Sequence, residues 1–259
     1  MNNFSDIRAL PYQDGGKVIH LGKDDHGRIL VIDYGNQRVL NFDSLFEQSC
    51  MQLSQPFQLV HKYTQFMALV LAYIDPDHIT FLGLGGGSLL RTFHHILPTC
   101  YFTAVELRHD VVTAAKEYFL LPDDHRVSIT INDAFVEVTQ LADNSSDIIV
   151  ADIYDAYRME PEQTQQAFLV ECARVLTDSG WLVINMHSVP SDRSAFSDML
   201  AAIFPTVLLM SSVTDNSILF VSNALPADAK PIPQRVEDME EKLKQRLAPL
   251  MTRIKPFKD

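Results

Sequence analysis

Long apolar runs, paired cysteines and an excess of basic residues are all missing from this chain of 259 residues. No segment approaches the roughly 18 consecutive apolar residues that a membrane-spanning helix needs, so we expect no membrane partner. The three cysteines, Cys50, Cys100 and Cys172, are far apart and odd in number, which predicts free thiols in a reducing compartment. The formal net charge of −12 argues against nucleic acid as a partner, because phosphate binding needs a basic surface.

A secretory signal is also missing, because residues 1–6 carry neither a basic flank nor an apolar stretch, and we expect a cytoplasmic protein. Hydrophobic residues make up 47% of the chain and charged residues 21%, as in globular proteins. The nine histidines do not form a metal site: His94 and His95 are adjacent in a predicted helix, where neighbouring side chains diverge by about 100°. The sequence therefore predicts no metal.

Three β-rich runs separated by polar turns come first, at residues 17–21, 28–32 and 37–42. Their spacing predicts a small antiparallel sheet. Apolar positions then recur with a helical period over residues 59–74, and Asp75-Pro76 ends that helix. We therefore expect a small N-terminal β domain over residues 1–58 and a second domain over residues 59–224.

The second domain alternates between strands and helices. The strands are predicted near 79–84, 101–106, 127–131, 147–151 and 180–186, and the helices near 88–97, 109–120, 133–141, 162–176 and 192–203. Such alternation predicts helical crossovers and a parallel sheet covered on both faces. Two further β runs, at 207–210 and 217–221, are too close together for a crossover and should be antiparallel. The fold class is therefore α/β: a methyltransferase-like Rossmann fold of about seven mostly parallel strands, with a final antiparallel strand.

A proline-rich linker and one more helix are predicted for residues 225–259. Pro226, Pro231 and Pro233 mark the linker, and apolar residues at positions 236, 239, 243, 247 and 250 give the helix one apolar face. That face could pack on its own domain or on a second subunit, and we favour the first.

A glycine-rich turn, Gly83-Leu84-Gly85-Gly86-Gly87, joins the first strand of the alternating series to its helix. Glycine lets the backbone take positive φ and approach a ligand closely, and the following helix directs its free N–H groups to the same place. The turn predicts a nucleotide site, although a tight strand-to-helix turn without a ligand would use the same residues.

Acidic residues stand at the end of the next predicted strand and just after the one that follows it. Glu106 lies nineteen residues beyond Gly87, the distance at which a carboxylate reaches the ribose hydroxyls of a nucleotide. Asp133 follows the third strand, where a carboxylate can accept a hydrogen bond from the adenine amine. Each has an alternative explanation, because Glu106 could be a solvated strand end and Asp133 the N-cap of the next helix. Together with the glycines, the two acids predict an adenosine site.

Phosphate-binding features are absent from the glycine turn. The turn has no lysine, so it is not a P-loop, and Ser88 stands where the dinucleotide fingerprint has its third glycine. The ligand that remains is an S-adenosyl compound.

Two carboxylates and a tyrosine follow the fourth strand, at Asp152, Tyr154 and Asp155. Alkylation of an amine suits such a pair, since one carboxylate can take a proton from the attacking ammonium while the other holds the cation. Alternatively, this segment is a turn in which Asp155 caps and Asp152 is solvated. His187, just after the fifth strand, could border the same pocket, although a loop histidine without a role is the commoner case.

These motifs resemble those of the spermidine synthase (polyamine aminopropyltransferase) family over about residues 10–222. The family's Gly-Gly-Gly-Asp-Gly loop aligns with residues 83–87, its Val-Glu-Ile-Asp with Val105-Glu106-Leu107-Arg108, and its Asp-Gly with Asp133-Ala134. The resemblance implies decarboxylated S-adenosylmethionine as aminopropyl donor. It implies that the nucleotide is held by Gly83, Gly85, Gly86, Gly87, Glu106, Leu107, Asp133 and Ala134.

On the acceptor side, the family's Asp-x-x-Asp-Pro aligns with residues 152–156. This resemblance implies Asp152 as general base and Asp155 as an amine-binding carboxylate, with Tyr154 between them. Tyr63-Thr64-Gln65 is similar to the family's Tyr-Gln-Glu-Met helix start, with the tyrosine displaced by one position. Tyr63 and Gln65 are therefore further candidates for binding the amine.

Three positions depart from the family pattern. Gly86 stands where the family has a loop aspartate that repels the carboxylate of ordinary S-adenosylmethionine, so discrimination against that donor should fall. Ala156 replaces a proline, and residues 211–216 lack the family's tyrosine. Residues 46–56 are similar to a bacterial branch called spermidine synthase-like, in which the acceptor need not be putrescine.

We therefore expect a transferase that moves an aminopropyl group from decarboxylated S-adenosylmethionine to a primary amine such as putrescine. A homodimer is expected from the family alone. Two alternatives stay open: an S-adenosylmethionine-dependent methyltransferase on the same scaffold, and a non-catalytic nucleotide-binding protein whose acceptor pocket has decayed.

Overall fold

Two sheets organise the chain in the computed structural model, which describes residues 15–42, 44, 47–155, 159–187, 193–211 and 216–257. Within these residues the smaller sheet has four strands and the larger has eight. No helix in this part of the chain is long and apolar enough to cross a membrane. Residues 1–14, Phe46, Ala156 and residues 212–215, which enter the interpretation of the sequence, lie outside the described residues.

The smaller sheet is an antiparallel meander in which each strand pairs with the next. It consists of β1 (Lys17–Asp24), β2 (Gly27–Tyr34), β3 (Gln37–Asn41) and β4 (Glu47–Gln52). The first three strands confirm the predicted small β sheet. Strand β4 was not predicted, because its sequence, Glu-Gln-Ser-Cys-Met-Gln, is mostly polar and lacks β-branched residues.

The larger sheet confirms the predicted α/β class. Its strands are β5 (His78–Leu82), β6 (Tyr101–Glu106), β7 (Val127–Ile131), β8 (Ser146–Ala151), β9 (Leu176–Met186), β10 (Thr206–Met210), β11 (Ser217–Ser222) and β12 (Ile254–Pro256). Their order is β12-β10-β11-β9-β8-β5-β6-β7. Strands β5 to β9 pair in parallel, whereas β10 and β11 run antiparallel to their neighbours, as expected. The edge strand β12 was not predicted.

The strand order reverses beside β5, which pairs with β6 on one side and with β8 on the other. The segments that follow β5 and β8 therefore lie next to each other at the carboxyl edge of the sheet. Open parallel sheets bind ligands at this point.

Helices and apolar clusters cover both faces of the larger sheet. The helices are α1 (Lys62–Ala68), α2 (Ser88–Ile96), α3 (His109–Tyr118), α4 (Ala134–Glu137), α5 (Gln166–Val175), α6 (Ala195–Ile203), α7 (Pro233–Leu243) and α8 (Ala248–Met251). Short 3-10 segments follow α1 and precede α5. Three predicted helices are too long. The helix expected over residues 59–74 spans only Lys62–Ala68, and the one expected over 133–141 is the single turn α4. The helix expected over 162–176 begins at Gln166, after a 3-10 segment.

The smaller sheet and the C-terminal helix both pack on this core. Ile29 and Met51 of the smaller sheet contact the cluster that contains Phe119, at the end of α3. Val236 and Met239 of α7 are buried in the same cluster as the 3-10 segment after α1. The domain boundaries at residues 58 and 224 stay a prediction.

Candidate active site

A cavity of about 960 Å³ lies at the carboxyl edge of the larger sheet, and the smaller sheet forms part of its wall. Among the lining side chains, acidic groups outnumber the cations of Lys62 and Arg108. The acidic residues are Glu47, Glu106, Asp133, Asp152, Asp155, Glu160 and Glu162. The cavity is therefore suited to a ligand that carries positive charge.

The glycine loop needs glycine for two geometric reasons. Gly83, Gly85 and Gly87 take positive φ values of +89°, +54° and +65°. A Cβ atom on Gly83 would lie 2.4 Å from the backbone oxygen of Asp152, because the loop and the end of β8 approach closely there. Gly83 and Gly85 line the cavity, so the loop presents bare backbone to it.

Glu106 is buried, with 8% exposure, which rules out a solvated strand end. Its Oε2 accepts hydrogen bonds from the backbone N–H groups of Leu84 at 3.1 Å and Gly85 at 3.3 Å, and its Oε1 accepts one from Arg108 at 3.0 Å. Burial raises the pKa of Glu106, and these backbone donors oppose part of that shift. The carboxylate therefore ties the glycine loop to the end of β6 while it lines the cavity.

Asp133 both caps the next helix and lines the cavity, the two alternatives that the sequence left open. Its Oδ1 accepts a hydrogen bond from the backbone N–H of Phe135 at 2.7 Å, so it caps α4. It also lines the cavity beside Ala134 and Leu107. The cap uses one of its two oxygens, and Leu107, 49% exposed, offers apolar surface to a flat ring.

Asp152 follows β8 and is held from two sides. Asn185 Nδ2 donates to its Oδ1 at 2.8 Å, and the Tyr63 hydroxyl donates to the same carboxylate. Burial raises the pKa of Asp152, and the two hydrogen bonds oppose that shift. Burial and the Asp152 charge raise the pKa of Tyr63, so this phenol stays protonated as a donor. Asp152 is thus an enclosed, hydrogen-bonded group rather than a solvated turn residue.

Of the four further residues predicted to bind the amine, three line the cavity and one does not. Tyr63, Tyr154 and Asp155 line the cavity. The Tyr154 hydroxyl donates to the backbone oxygen of Asn185 at 3.3 Å, and burial raises the pKa of Tyr154. Gln65 does not line the cavity, because its side-chain amide donates to the carbonyl of Leu59 at 2.9 Å.

Gly86 and Gly87 also do not line the cavity. The backbone N–H of Gly86 donates to Ser49 Oγ of β4 at 2.8 Å. A Cβ atom on Gly86 would lie 2.8 Å from Ser49 Cβ and 3.4 Å from Phe119 Cδ1. The smaller sheet therefore occupies the space in which a side chain at position 86 would begin. Gly87 serves as the left-handed N-cap of α2.

Comparison with known proteins decides the family. A polyamine aminopropyltransferase from Chromobacterium violaceum is 30% identical over 175 residues, which are 67% of this chain and 67% of that relative. The chain belongs to the polyamine aminopropyltransferase family. This membership confirms the resemblance seen in the motifs and the prediction of a transferase enzyme. A family profile described as "Methyltransferase domain" also matches residues 81–184.

Solved structures share the fold of this aminopropyltransferase family member. A probable spermidine synthase from Corynebacterium glutamicum superposes with a TM-score of 0.70 at 20% identity, over 86% of both chains. A spermidine synthase in complex with the transition state analogue AdoDATO gives a TM-score of 0.70 at 18% identity, over 91% of this chain and 84% of that one. The family and the methyltransferase profile together indicate a ligand of the S-adenosylmethionine type.

Sequence reasoning missed Asn185 in this family member. Asn185 is 2% exposed, lies at the end of β9 and bonds Asp152. A signal was present, because it is the one amide within the apolar run Trp-Leu-Val-Ile-Asn-Met at residues 181–186 and it falls at the same sheet edge as the other site residues. His187, two residues further, does line the cavity.

The sequence pattern also did not predict that the smaller sheet forms part of the cavity wall. Arg108 Nε and Nη2 donate to the two carboxylate oxygens of Asp24 at 2.8 and 2.9 Å, and its guanidinium lies 4.5 Å from the centre of the Phe42 ring. These contacts hold the β1–β2 hairpin beside the segment that follows β6, where Glu106, Leu107 and Arg108 line the cavity. Nothing in the local sequence of either partner signals a contact between residues so far apart in the chain.

Proposed function

We propose that this chain transfers an aminopropyl group from decarboxylated S-adenosylmethionine to a primary amine such as putrescine. The observation that carries the proposal is the Asp152 carboxylate, held by Asn185 and Tyr63 in the wall of an acid-rich cavity. The glycine loop lines the same cavity, so donor and acceptor would meet beside this carboxylate. The names of the relatives support the reaction class.

The nucleotide side of the cavity suits the adenosine of the donor. Glu106 would accept hydrogen bonds from the ribose hydroxyls, and Asp133 would accept one from the adenine amine. Leu107 and Ala134 would lie against the ring, since both line the cavity beside Asp133. Because Gly83 and Gly85 have no side chains, the aminopropyl group of the donor can pass close to the loop backbone.

The reaction needs a neutral amine at the moment of attack. A substrate ammonium gives one proton to Asp152, and the nitrogen lone pair then forms a bond to the carbon next to the sulfonium. The C–S bond breaks, its electron pair goes to sulfur, and 5′-methylthioadenosine leaves. Because the sulfonium is already activated, the protein has to align, desolvate and deprotonate the amine. Burial raises the pKa of Asp152, which makes its carboxylate a better proton acceptor than an exposed one.

The remaining N–H groups of the amine also need acceptors. Asn185 Oδ1 is buried and has no hydrogen-bond partner among the described residues. Asp155 and Tyr154 line the same cavity and complete the proposed amine site together with Tyr63. An excess of carboxylates around a desolvated cation is favourable, because the charges are poorly screened there.

A methyltransferase is the second candidate. The match to a methyltransferase domain over residues 81–184 supports it, and so does Gly86, which brings no carboxylate to repel the carboxylate of ordinary S-adenosylmethionine. Family membership disfavours the non-catalytic alternative. The cytoplasmic location and the homodimer stay predictions.

Product analysis separates the two enzyme candidates. The protein is incubated with either donor and with putrescine, cadaverine or spermidine, and the nucleoside products are resolved by chromatography. Release of methylthioadenosine with an aminopropylated amine supports the proposal, whereas S-adenosylhomocysteine supports the methyltransferase. No turnover, together with no binding of either donor or of methylthioadenosine by calorimetry, contradicts both.

Asp152→Asn tests the general base without changing its shape. We expect kcat to fall by about 10²- to 10⁴-fold, the usual contribution of such a base, while nucleotide affinity stays within a few-fold. Asp178→Asn, which removes an exposed carboxylate from β9, is the matched control and should leave both values unchanged. Equal turnover in the two variants would remove Asp152 from the mechanism.

A further inference from the structure

Three side chains with metal-binding atoms meet in the wall that the smaller sheet adds to the cavity. They are Glu47, Cys50 and His61, and their ligand atoms all lie within 4.8 Å of one another. Glu47 Oε2 is 3.2 Å from His61 Nε2. Cys50 is buried, with 4% exposure, whereas the Glu47 side chain is 42% exposed. The transfer reaction described above uses none of the three.

A β-bulge brings Glu47 and Cys50 to one face of β4. On a regular strand, residues three apart point to opposite faces. Here the register with β3 shifts, so that Cys50 pairs with Val39 while Glu47 pairs with Asn41. Val39 and Asn41 are two residues apart on β3 and therefore share a face, and their partners share it too. Bulges are frequent beside functional sites because they redirect a side chain in this way.

His61 adds its ring from a different element. It is the residue just before α1, and its carbonyl oxygen accepts hydrogen bonds from Thr64 Oγ1 at 2.7 Å and from the backbone N–H of Gln65 at 3.3 Å. The start of the helix thereby holds the backbone of His61 beside β4. The cluster is built by two ordered backbone segments rather than by one flexible loop.

We propose that Glu47, Cys50 and His61 bind one zinc ion. Thiolate, imidazole and carboxylate are the three ligand types that zinc takes in proteins, and its usual bond lengths separate the ligands of a tetrahedral ion by about 3.5 Å. Because the ligand atoms lie within 4.8 Å of one another, the side chains need to close by at most about 1.3 Å to reach that spacing. One thiolate and one carboxylate also balance the charge of the ion. Three protein ligands leave a fourth position for water or a small ligand.

The sequence predicts no metal site, because adjacent histidines such as His94 and His95 cannot bind one ion together. The zinc cluster is built instead from residues of two different segments. His94 instead pairs with Asp124, and the His95 ring stacks on Phe57. The zinc cluster depends on the bulge in β4, which the spacing of residues does not predict.

A bound ion would act on the cavity, because Glu47 and His61 both line it. It would cancel the negative charge of Glu47 beside the route of a cationic amine. Zinc should therefore raise the KM for the amine more than the KM for the nucleotide. This consequence rests on the proposed function, whereas the binding itself does not.

The direct test measures metal binding without any activity. Protein stripped with a chelator is titrated with Zn²⁺ in competition with a chromogenic chelator, and with Co²⁺ as a spectroscopic probe. We expect one ion per chain and a thiolate-to-cobalt charge-transfer band. Cys50→Ser should abolish the band and weaken zinc binding by at least about 100-fold, since even residues that merely orient a ligand contribute 10- to 100-fold.

Two further variants keep the test decisive. Glu47→Gln changes a half-exposed side chain, so folding should be retained, and it should also weaken zinc binding. Cys172→Ser changes a buried free thiol outside the cluster and should leave the cobalt band intact. A protein that binds no zinc, a cobalt spectrum without a thiolate band, or unchanged zinc affinity in Cys50→Ser would each overturn the proposal.

Discussion

Gly83→Ala adds a single methyl group where the glycine loop touches the end of β8. That carbon would lie 2.4 Å from the backbone oxygen of Asp152 and 3.0 Å from its carbonyl carbon. Contacts of a Cβ atom below 3.0 Å essentially never occur, so one of the two segments has to move by about 0.6 Å or more. The alanine would also have to keep a φ of +89°, which costs about 1–2 kcal/mol for a residue with a Cβ atom.

The displaced segment carries the proposed general base. A misplacement of about 1 Å in a reacting group can lower a rate by about 10²-fold, or about 2.7 kcal/mol in activation free energy. We therefore expect kcat/KM of Gly83→Ala to fall by up to about 10²-fold, together with a lower melting temperature. Steady-state kinetics of methylthioadenosine release and a thermal melt measure the two effects.

Gly35→Ala is the matched control. Gly35 lies in the β2–β3 turn with a φ of +59°, and a Cβ atom there would meet nothing within 4 Å. This variant should lose a similar 1–2 kcal/mol of stability from the backbone conformation alone, while kcat/KM stays at the wild-type value. Wild-type kinetics in Gly83→Ala, or equal kinetic losses in both variants, would refute the argument from close approach.

Other expectations concern pH and one hydrogen bond. Because burial raises the pKa of Asp152 above 3.8, kcat/KM should fall as the pH drops through that raised value, and an acid limb at or below pH 3.8 would contradict the assignment. Asn185→Leu removes a donor that opposes this shift, so the acid limb should move to higher pH, and an unmoved limb would show that Asn185 does not tune the base. Burial lowers the pKa of His78 below 6.5, so the unfolded chain takes up its proton first. The free energy of unfolding should therefore decrease as the pH falls below 6.5, and denaturant titrations with a flat profile there would contradict this.

The larger sheet could be predicted because its central strands are continuous apolar runs, such as Ile148–Val150, separated by amphipathic helices. Strand β4 could not, because a mostly polar sequence forms a strand only when a neighbour pairs with it. Helix α4 is shorter than its apolar pattern predicts, and the 59–74 helix changes to a 3-10 segment after Ala68. In both cases packing overrides a weak local preference.

The position of the predicted site residues at one edge of the sheet could be predicted for a topological reason. Gly83 and Asp152 directly follow β5 and β8. Glu106 is the last residue of β6, and Asp133 lies two residues beyond β7. Parallel strands end at one edge, which brings these four residues together. The direction of a side chain is not set by this rule. Gln65 turns to the Leu59 carbonyl, and Ser49 fills the space beside Gly86, because of contacts made in the folded chain.

The sequence by itself determined the parallel sheet and the edge at which the predicted site residues lie together, since periodicity and strand ends are local properties. Only the tertiary structure decided which groups surround Asp152 and which wall closes the cavity. Asn185 and the β4 residues Glu47 and Cys50 come from distant parts of the chain. Their positions depend on strand order and on one bulge, and the hydrophobic periodicity of the sequence indicates neither of them.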